Sequence, residues 1–413
     1  MIFELLKDFL SDLKAHRLRA FLTLIAITWG TVAVVLLLSF GDGLGTQMLN
    51  GMMNAGNRIM ILYGGETRML YEGLPKGRRI RLIEEDVRFL RTTVQGIDMI
   101  SPQYRRTVTL TNGKKQTNTE CEGVDATFEE MRRMYPTAGG RFLNSLDVGQ
   151  QRRVIFIGID LATELFGSAD PVGRPLLVDN IPFTVVGVMQ KKIQTSMNNG
   201  PDTRRAIIPY TTFRTTYGYR YVNSIVVRPV EPSQQKSVME QITAALGRKY
   251  RFDPKDEQAV RVWDFIEGEK INRKINLGIS IFLFGVGFLT LLIAGVGVAN
   301  VMYVVVKERT HEIGIKMAIG AKRKYILWQF IFEALFISFV GGTVGILFSW
   351  GVVTGVRMLP VDDGAMQFLG RPILSPYTTL FTVFILGAIG LIAGFFPARK
   401  AASVDPVESL RYE

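Results

Sequence analysis

Residues 21–40 read FLTLIAITWGTVAVVLLLSF, inside an uncharged run that extends over residues 20–41. The hydrocarbon core of a bilayer is about 30 Å thick, and a helix needs roughly 20 apolar residues to cross it. Three further runs, at residues 275–306, 334–356 and 372–398, lack Asp, Glu, Lys and Arg. Buried helices of a soluble protein are a poor alternative, because such helices average three to four turns. The pattern therefore predicts four membrane-spanning helices, at residues 20–41, 275–306, 327–356 and 375–397.

The first run resembles a signal peptide in position, but its apolar region is too long and no A-x-A site follows it. We therefore expect a retained anchor. The second run is longer than a bilayer requires, which indicates either a tilted helix or a helical stalk that continues beyond the membrane.

The distribution of Lys and Arg orients these helices. Basic residues are concentrated in residues 1–19, in the loop 307–326 and in the tail 398–413, whereas the loop 357–374 has two arginines. Cytoplasmic segments carry the excess of Lys and Arg in membrane proteins. Both termini and the loop 307–326 are therefore expected in the cytoplasm, and residues 42–274 on the opposite side.

Composition excludes several classes of protein. The net charge of +12 could indicate nucleic-acid binding, but much of it lies at the ends of the predicted spans. We interpret it as orienting charge and expect membrane lipid, not nucleic acid, as the surroundings. Cys121 is the only cysteine, and His16 and His311 are the only histidines. This excludes an internal disulfide and a cysteine zinc cluster, and we expect no metal site.

Residues 1–19 predict an amphipathic helix before the first span. Leu6, Phe9, Leu10 and Leu13 recur at helical spacing, and charged or polar residues occupy the other face. Such a helix either lies in the cytoplasmic membrane interface or packs on a partner protein. Both alternatives remain open.

The segment 42–274 is too long and too regular to be a loop, and we expect an α+β domain of two subdomains. Strand, helix and strand signals occur in that order near both ends of the segment. The pair Asn112-Gly113 predicts a hairpin turn. One subdomain is predicted from residues 58–120 plus 205–263, and the other from the inserted residues 121–204.

Motifs for several kinds of chemistry are absent from the sequence. It contains no G-x-x-x-x-G-K-[ST] phosphate-binding loop, and no G-x-S-x-G, H-E-x-x-H or C-x-x-C motif. The sequence therefore predicts no catalytic residue in this chain.

The loop 307–326 contains the sequence pattern that is most informative about function. It places an apolar element, IGIKMAI at residues 313–319, between charged flanks and ends it at Gly320. Such an element can dock into a groove of a cytoplasmic partner, or it is an ordinary loop with topogenic lysines. The residues alone leave these two interpretations equally open.

The pattern E-x-G-I-x-x-A-x-G-A-x-x-x-x-I, which begins at Glu312, resembles permeases of the MacB/FtsX-like family of ABC transporters. The C-terminal sequence GFFPARKAASVDPVESLRYE at residues 394–413 is similar to that family as well. So is the order LFG…DPVGR…FTVVGV within residues 153–188. The resemblance covers nearly the whole chain: one span, a large domain, then three spans.

The resemblance implies a function for the loop and for the chain. The loop would contain a coupling helix that rests on an ABC ATPase, which binds ATP and Mg²⁺ in place of this chain. Closure of two ATPase subunits would move the outer domains of two permease copies, a mechanism called mechanotransmission. The coupling residues would be Arg309, Glu312, Ile313, Gly314, Ile315, Met317, Ala318 and Gly320.

The same resemblance implies the membrane in which the chain lies and the proteins that assemble with it. The chain would lie in a bacterial inner membrane as a homodimer, with a membrane-fusion adaptor and an outer-membrane channel as further partners. MacB itself has its ATPase fused ahead of the permease, whereas about 20 residues precede the first span here. A separate ATPase chain is therefore expected, and no enzymatic activity in this one.

Some residues inside the predicted spans are candidates for packing or function. Gly295 and Gly297 in the second span, and Gly341 and Gly345 in the third, permit close helix contact. Glu333 is an acid just inside the third span, where an ionisable residue marks function by default. Near the interface the side chain either snorkels or pairs with a lysine of the loop, and structural pairing is the favoured interpretation.

Four functions fit these observations. The favoured one is efflux of peptides, antibiotics or other amphiphiles. A lipoprotein-releasing permease has the same architecture, and an FtsX-type regulator of cell-wall hydrolases has a smaller outer region. A membrane sensor with a ligand-binding outer domain would normally carry a cytoplasmic signalling domain.

Overall fold

The computed structural model describes residues 17–194, 200–359 and 370–404. The chain divides into two compact units, one of Met1–Gln47 with Lys274–Glu413 and one of Met48–Arg273. We call them the membrane unit and the outer domain. The amphipathic helix predicted before the first span lies almost entirely outside the described residues, as does most of the tail.

The elements follow one another in a simple order. The helices are α1 (Arg17–Ala55), α2 (Glu84–Thr93), α3 (Phe128–Arg132), α4 (Ser145–Gly149), α5 (Ile159–Phe166), α6 (Tyr210–Tyr217), α7 (Gln235–Tyr250), α8 (Phe265–Glu308), α9 (Thr310–Ala318), α10 (Arg323–Met358) and α11 (Pro376–Ala402). The strands are β1 (Met60–Gly64), β2 (Ile97–Asn112), β3 (Lys115–Val124), β4 (Val154–Ile157), β5 (Pro175–Val178), β6 (Ile181–Val188), β7 (Arg205–Pro209), β8 (Ser224–Pro229) and β9 (Val260–Asp264).

Four of the described helices, α1, α8, α10 and α11, are long and apolar enough to cross a membrane. With the α+β outer domain they confirm the predicted fold class. Both α1 and α8 continue as helix beyond the uncharged runs, α1 to Ala55 and α8 from Phe265. The extension of α8 is the helical continuation that its long apolar run indicated.

Glycines let the spanning helices approach each other closely. Gly341 and Gly345 of α10 lie against α1, where the Thr28 hydroxyl donates a hydrogen bond to the Gly341 carbonyl at 3.1 Å. A Cβ at Gly295 would collide with the Ile389 side chain of α11. Gly297 differs, because a Cβ there would meet no described atom within 4 Å. Its predicted packing role therefore has no counterpart among the described residues.

The outer domain contains a four-stranded antiparallel sheet in the order β9-β1-β8-β2. Side chains alternate between its faces, as the two-residue period of a strand requires. One face, which includes Met60 and Leu62, packs with α2 and α7. The other face, which includes Ile61 and Val226, packs with the end of α1 and the start of α8.

The long strand β2 leaves this sheet and enters a second one. Its second half pairs with β3 through a two-residue turn at Gly113 and Lys114, where Gly113 has φ +60°. The pairings then run β2–β3–β7–β4–β6–β5 and return to β2, so six strands close into a ring. Closure pairs both edges of every strand in the ring and removes exposed sheet edges.

The ring divides the domain differently from the sequence-based boundaries. The second half of β2, all of β3, and β7 belong to it, although the prediction assigned residues 58–120 and 205–263 to the other subdomain. The physical reason is that β7 pairs in parallel with β3, which lies far away in the sequence. Local patterns locate a strand but do not show which partner it will have.

Close packing of α10 on α1 predicts a steric effect that is specific to one face. A Cβ at Gly345 would lie 2.7 Å from the Thr31 Cβ and 2.9 Å from the Thr28 carbonyl oxygen. We expect Gly345→Val to destabilise the chain by about 1–3 kcal/mol through overpacking. Gly351→Val on the same helix is the matched control, since a Cβ at Gly351 meets no described atom within 4 Å. Melting temperatures in detergent should fall for the first variant, and equal melting would contradict this packing.

Candidate functional site

The loop between the second and third spans folds into a short helix of its own. Helix α8 ends at Glu308, Arg309 leaves helical geometry with φ −95° and ψ 11°, and α9 follows at once. Gly320 follows the end of α9 with φ +104°, a left-handed conformation that glycine adopts without strain and that does not continue a helix. The predicted coupling residues, from Arg309 to Gly320, therefore lie on α9 or at its two ends.

One face of α9 is buried in the core of the membrane unit. Ile313 is 3% exposed and packs in a cluster with Val306 of α8, Ile326 and Phe330 of α10, and Ala398 of α11. Gly314 beside it is buried too. These two residues pack α9 against the rest of the membrane unit.

The opposite face of α9 presents apolar side chains to the outside of the chain. Ile315 is 42% exposed and Ile319 81% exposed. Ala318 and Gly320 are exposed as well, and Met317 is half-buried. Large apolar side chains left exposed together, with polar residues around them, typically mark a binding surface. We call Ile315, Ala318, Ile319 and Gly320 the outer face of α9.

Ion pairs hold α9 at the junction of α8 and α10. The Arg309 guanidinium lies 3.2 Å from the Glu333 carboxylate and 3.7 Å from that of Glu312. Lys316 adds a contact to Glu312 at 2.7 Å, and Gln329 donates a hydrogen bond to Glu333 at 3.4 Å. Glu333 thus pairs with the arginine that breaks the helix, and with none of the described lysines.

The two carboxylates beside Arg309 differ in their surroundings. The Glu333 side chain is 6% exposed and that of Glu312 48% exposed. Partial burial acts to raise the pKa of Glu312, but the Lys316 ammonium and the Arg309 guanidinium outweigh it, and the pKa lies below its ordinary value. Glu312 therefore stays charged at neutral pH, and Arg309 is held by a buried and an exposed carboxylate.

A second cluster of charges fastens the end of α1 inside the outer domain. The Lys192 ammonium donates to the Asn54 carbonyl at 2.8 Å and to the Arg132 carbonyl at 2.6 Å. It also lies 2.7 Å from Asp202, which is paired with Arg132 at 2.7 Å. The Asn54 amide donates to the Ile193 carbonyl at 2.9 Å. The last turn of α1 is therefore bound by polar contacts as well as by apolar packing.

Burial changes the acid–base properties of this cluster, which we call the Lys192 anchor. It lowers the pKa of Lys192 to about 8, with Arg132 and Arg205 acting in the same direction and Asp202 opposing them. Burial would raise the pKa of Asp202, but the three cations around it hold that pKa far below its usual range. At neutral pH Asp202 is the anion that compensates the buried positive charge.

The start of α8 is fastened in a similar way. The Asp264 carboxylate accepts hydrogen bonds from the Ile266 amide at 2.8 Å and the Glu267 amide at 3.1 Å, which satisfies donors that the first turn leaves unpaired. The Phe265 amide donates to the Ile59 carbonyl at 3.0 Å, and the Phe265 side chain is 2% exposed. The last turn of α1 and the first turn of α8 thus lie in the core of the outer domain.

Sequence reasoning found α9 but missed these anchors. Lys192, Asp202 and Arg132 come from separate segments and show no common spacing, so no local pattern connects them. A weak signal was present in Asp264, an N-cap residue type directly before an apolar helix. Among residues 17–194, 200–359 and 370–404, no group of His, Cys, Asp and Glu gathers that could hold a metal ion.

Comparison with known proteins agrees with this architecture. Residues 20–245 match the family model of the MacB-like periplasmic core domain, and residues 284–406 match that of the FtsX-like permease C-terminal region. The first of these matches alone covers more than half of the chain.

Two curated relatives illustrate the similarity. The macrolide export ATP-binding/permease protein MacB of Bdellovibrio bacteriovorus is 28% identical over 97% of this chain and 60% of its own length. The pyoverdine export ATP-binding/permease protein PvdT of Pseudomonas aeruginosa is 31% identical over 96% of this chain and 56% of its own length. The chain thus spans less than two thirds of either relative.

Among solved structures, the periplasmic region of MacB from Actinobacillus actinomycetemcomitans aligns with 55% of this chain and 97% of its own, at 18% identity and a TM-score of 0.43.

The two carboxylates beside Arg309 predict unequal mutational effects. Glu333→Gln leaves a largely buried guanidinium without its buried anion, which we expect to cost about 2–3 kcal/mol. Glu312→Gln removes an exposed partner of the same arginine and should cost less than about 1 kcal/mol. Melting temperatures of the two variants in the same detergent measure the difference. An equal decrease would mean that the Arg309–Glu333 pair does not hold α9 in place.

Proposed function

The chain belongs to the MacB-like, FtsX-like permeases of ABC transporters, and on that premise we propose that it converts ATP hydrolysis by a cytoplasmic ATPase partner into movement of its outer domain. The work would drive efflux of peptides, antibiotics or other amphiphiles. The chain itself would bind no nucleotide; ATP and Mg²⁺ would be held by the partner.

The observation that carries this proposal is the outer face of α9. It exposes Ile315 and Ile319 while the rest of the helix is fixed by Ile313 and by the Arg309–Glu333 pair. An apolar surface on a fixed helix can pass on a movement of the bound ATPase, because a flexible loop would change shape instead of transmitting that movement. The 413 residues contain no G-x-x-x-x-G-K-[ST] loop, so a phosphate-binding loop of this type would have to come from a partner protein.

Helix α8 supports the transmission step. It begins at Phe265, runs without interruption to Glu308, and is followed directly by α9. Its first turn is buried in the outer domain, and its last turn packs in the same cluster as Ile313. A shift of α9 that displaces the last turn of α8 would therefore reach the outer domain along one helix. Helix α1 provides a second such connection through the Lys192 anchor.

The assembly that we infer contains two copies of the chain on two ATPase copies. Both termini and the loop that contains α9 would face the cytoplasm, with the outer domain across a bacterial inner membrane. A membrane-fusion adaptor and an outer-membrane channel would extend the pathway. The family to which the chain belongs supports this arrangement.

The exported molecule is proposed only as a class. The two relatives compared above bear names that specify macrolide export and pyoverdine export. Since relatives of similar identity differ in the molecule named, the family does not select one molecule for this chain. Peptides, antibiotics or other amphiphiles are the substrate class that we infer.

A charge placed on the outer face of α9 should break the contact with the ATPase. Ile319→Asp buries an unpaired carboxylate in the proposed interface, and we expect the ATPase that copurifies from native membranes to fall at least about tenfold. Mass spectrometry that quantifies peptides of a Walker-motif protein provides the measurement. Val230→Asp in the outer domain, at 58% exposure, is the matched control.

The control variant should copurify as much ATPase as the unmodified chain. Undiminished recovery with Ile319→Asp would exclude α9 as the docking site. ATP hydrolysis by the purified 413-residue chain without a partner would contradict the proposal that a separate chain is the ATPase.

A further inference from the structure

Three cavities adjoin one another at one end of the outer-domain sheet. A cavity of about 370 Å³ and one of about 510 Å³ share Gly64 and Arg79 in their walls. The second shares Gln258 and Arg261 with a third cavity, of about 600 Å³, between α7 and β9. Because they share lining residues, the three cavities are neighbours on one surface, which we call the basic groove.

The groove is named for five arginines that line it. Glu66 is the one carboxylate among the described residues that line the two smaller cavities, and the third cavity is lined by Glu240 and Glu257 together with Lys236 and Lys255. All five arginine side chains are exposed, and none takes part in an ion pair with another described residue. These arginines are Arg68, Arg79, Arg81, Arg220 and Arg261.

Two of these arginines are already held in place. The guanidinium groups of Arg81 and Arg220 lie 5.0 Å and 5.7 Å from the centre of the Tyr221 ring. Cation–π contact at such distances restrains a long side chain. A ligand that binds them therefore loses less side-chain entropy than one that must order free arginines.

Arginine indicates the chemistry of the ligand. Its planar fork donates two parallel hydrogen bonds to a carboxylate or a phosphate, which the ammonium of lysine does not. Several such groups along one groove suit an extended ligand with several negative charges. A single small anion would occupy only one cavity.

The strand at the edge of the sheet favours a polypeptide among extended anions. Within the described residues β9 pairs with β1 alone, and Val260, Arg261 and Val262 of this strand line the largest of the three cavities. An open edge offers backbone donors and acceptors at the spacing of an added strand. A peptide backbone matches that spacing, whereas a polyphosphate or a lipid surface does not.

We propose that the basic groove binds an extended acidic segment of a partner polypeptide, which adds to the sheet at β9 and places its carboxylates on the five arginines. This interaction goes beyond the proposed function and does not rest on it. It requires only the outer domain in its folded form. The surface is separate from the outer face of α9, on which the ATPase proposal depends.

The test uses the full chain in detergent and a fluorescent peptide of alternating Glu and Val, because alternation puts the acids on one face of a strand. We expect saturable binding at about 50 mM NaCl that weakens strongly at about 500 mM, where charges are screened within a few ångströms. Arg79→Glu combined with Arg261→Glu should weaken binding at least about tenfold. Fluorescence anisotropy provides the dissociation constants.

The matched control combines Arg153→Glu with Arg174→Glu, which changes the net charge equally at exposed arginines outside the groove. It should bind the peptide as the unmodified chain does. The double Arg→Gln variant at Arg79 and Arg261 provides a milder change, and unchanged melting temperatures show that the variants fold.

Three outcomes would overturn the proposal. The first is equal loss in both Arg→Glu pairs, which would show attraction to net charge alone. The second is absence of peptide binding at low salt. The third is tight binding of polyphosphate or of phosphatidylglycerol vesicles at the same arginines in place of the peptide, which would assign the groove to a different ligand.

Discussion

A bilayer offers no water to an exposed peptide group, so a segment that crosses it must satisfy its backbone hydrogen bonds internally. This requirement makes each of the four spans a complete helix, and in α1 and α8 the helix continues past the apolar run. The continuations end in buried contacts, at Asn54 for α1 and at Phe265 for α8. The two helices therefore belong to the membrane unit over their apolar runs and to the outer domain at their extensions.

Charged residues in this chain act in two ways that depend on burial. Around Asp202, three buried cations share a carboxylate and hold separate segments together, an arrangement in which loss of one partner leaves uncompensated charge. In the basic groove, arginines remain in solvent without a carboxylate partner among the described residues. The first kind stabilises the fold, and the second remains available to a ligand.

The sequence predicted the spans, the α+β outer domain and the position of the apolar element now seen as α9, because each rests on a local pattern. It did not predict that Ile313 and Gly314 face inward while Ile315 and Ile319 face outward. That distinction depends on how α9 packs against Ile326 and Phe330. The closed ring and the anchor at Lys192 were also missed, since both join residues that are distant in the sequence.

We propose that α8 connects a contact in the cytoplasm to a domain on the other side of the membrane. Single cysteines at Lys114, in the exposed turn of the outer domain, and at Lys322, between α9 and α10, test it after Cys121 is replaced by serine. A membrane-impermeant maleimide added to intact spheroplasts should label position 114 at once and position 322 only after permeabilisation. Labelling of both positions from the same side would contradict the account.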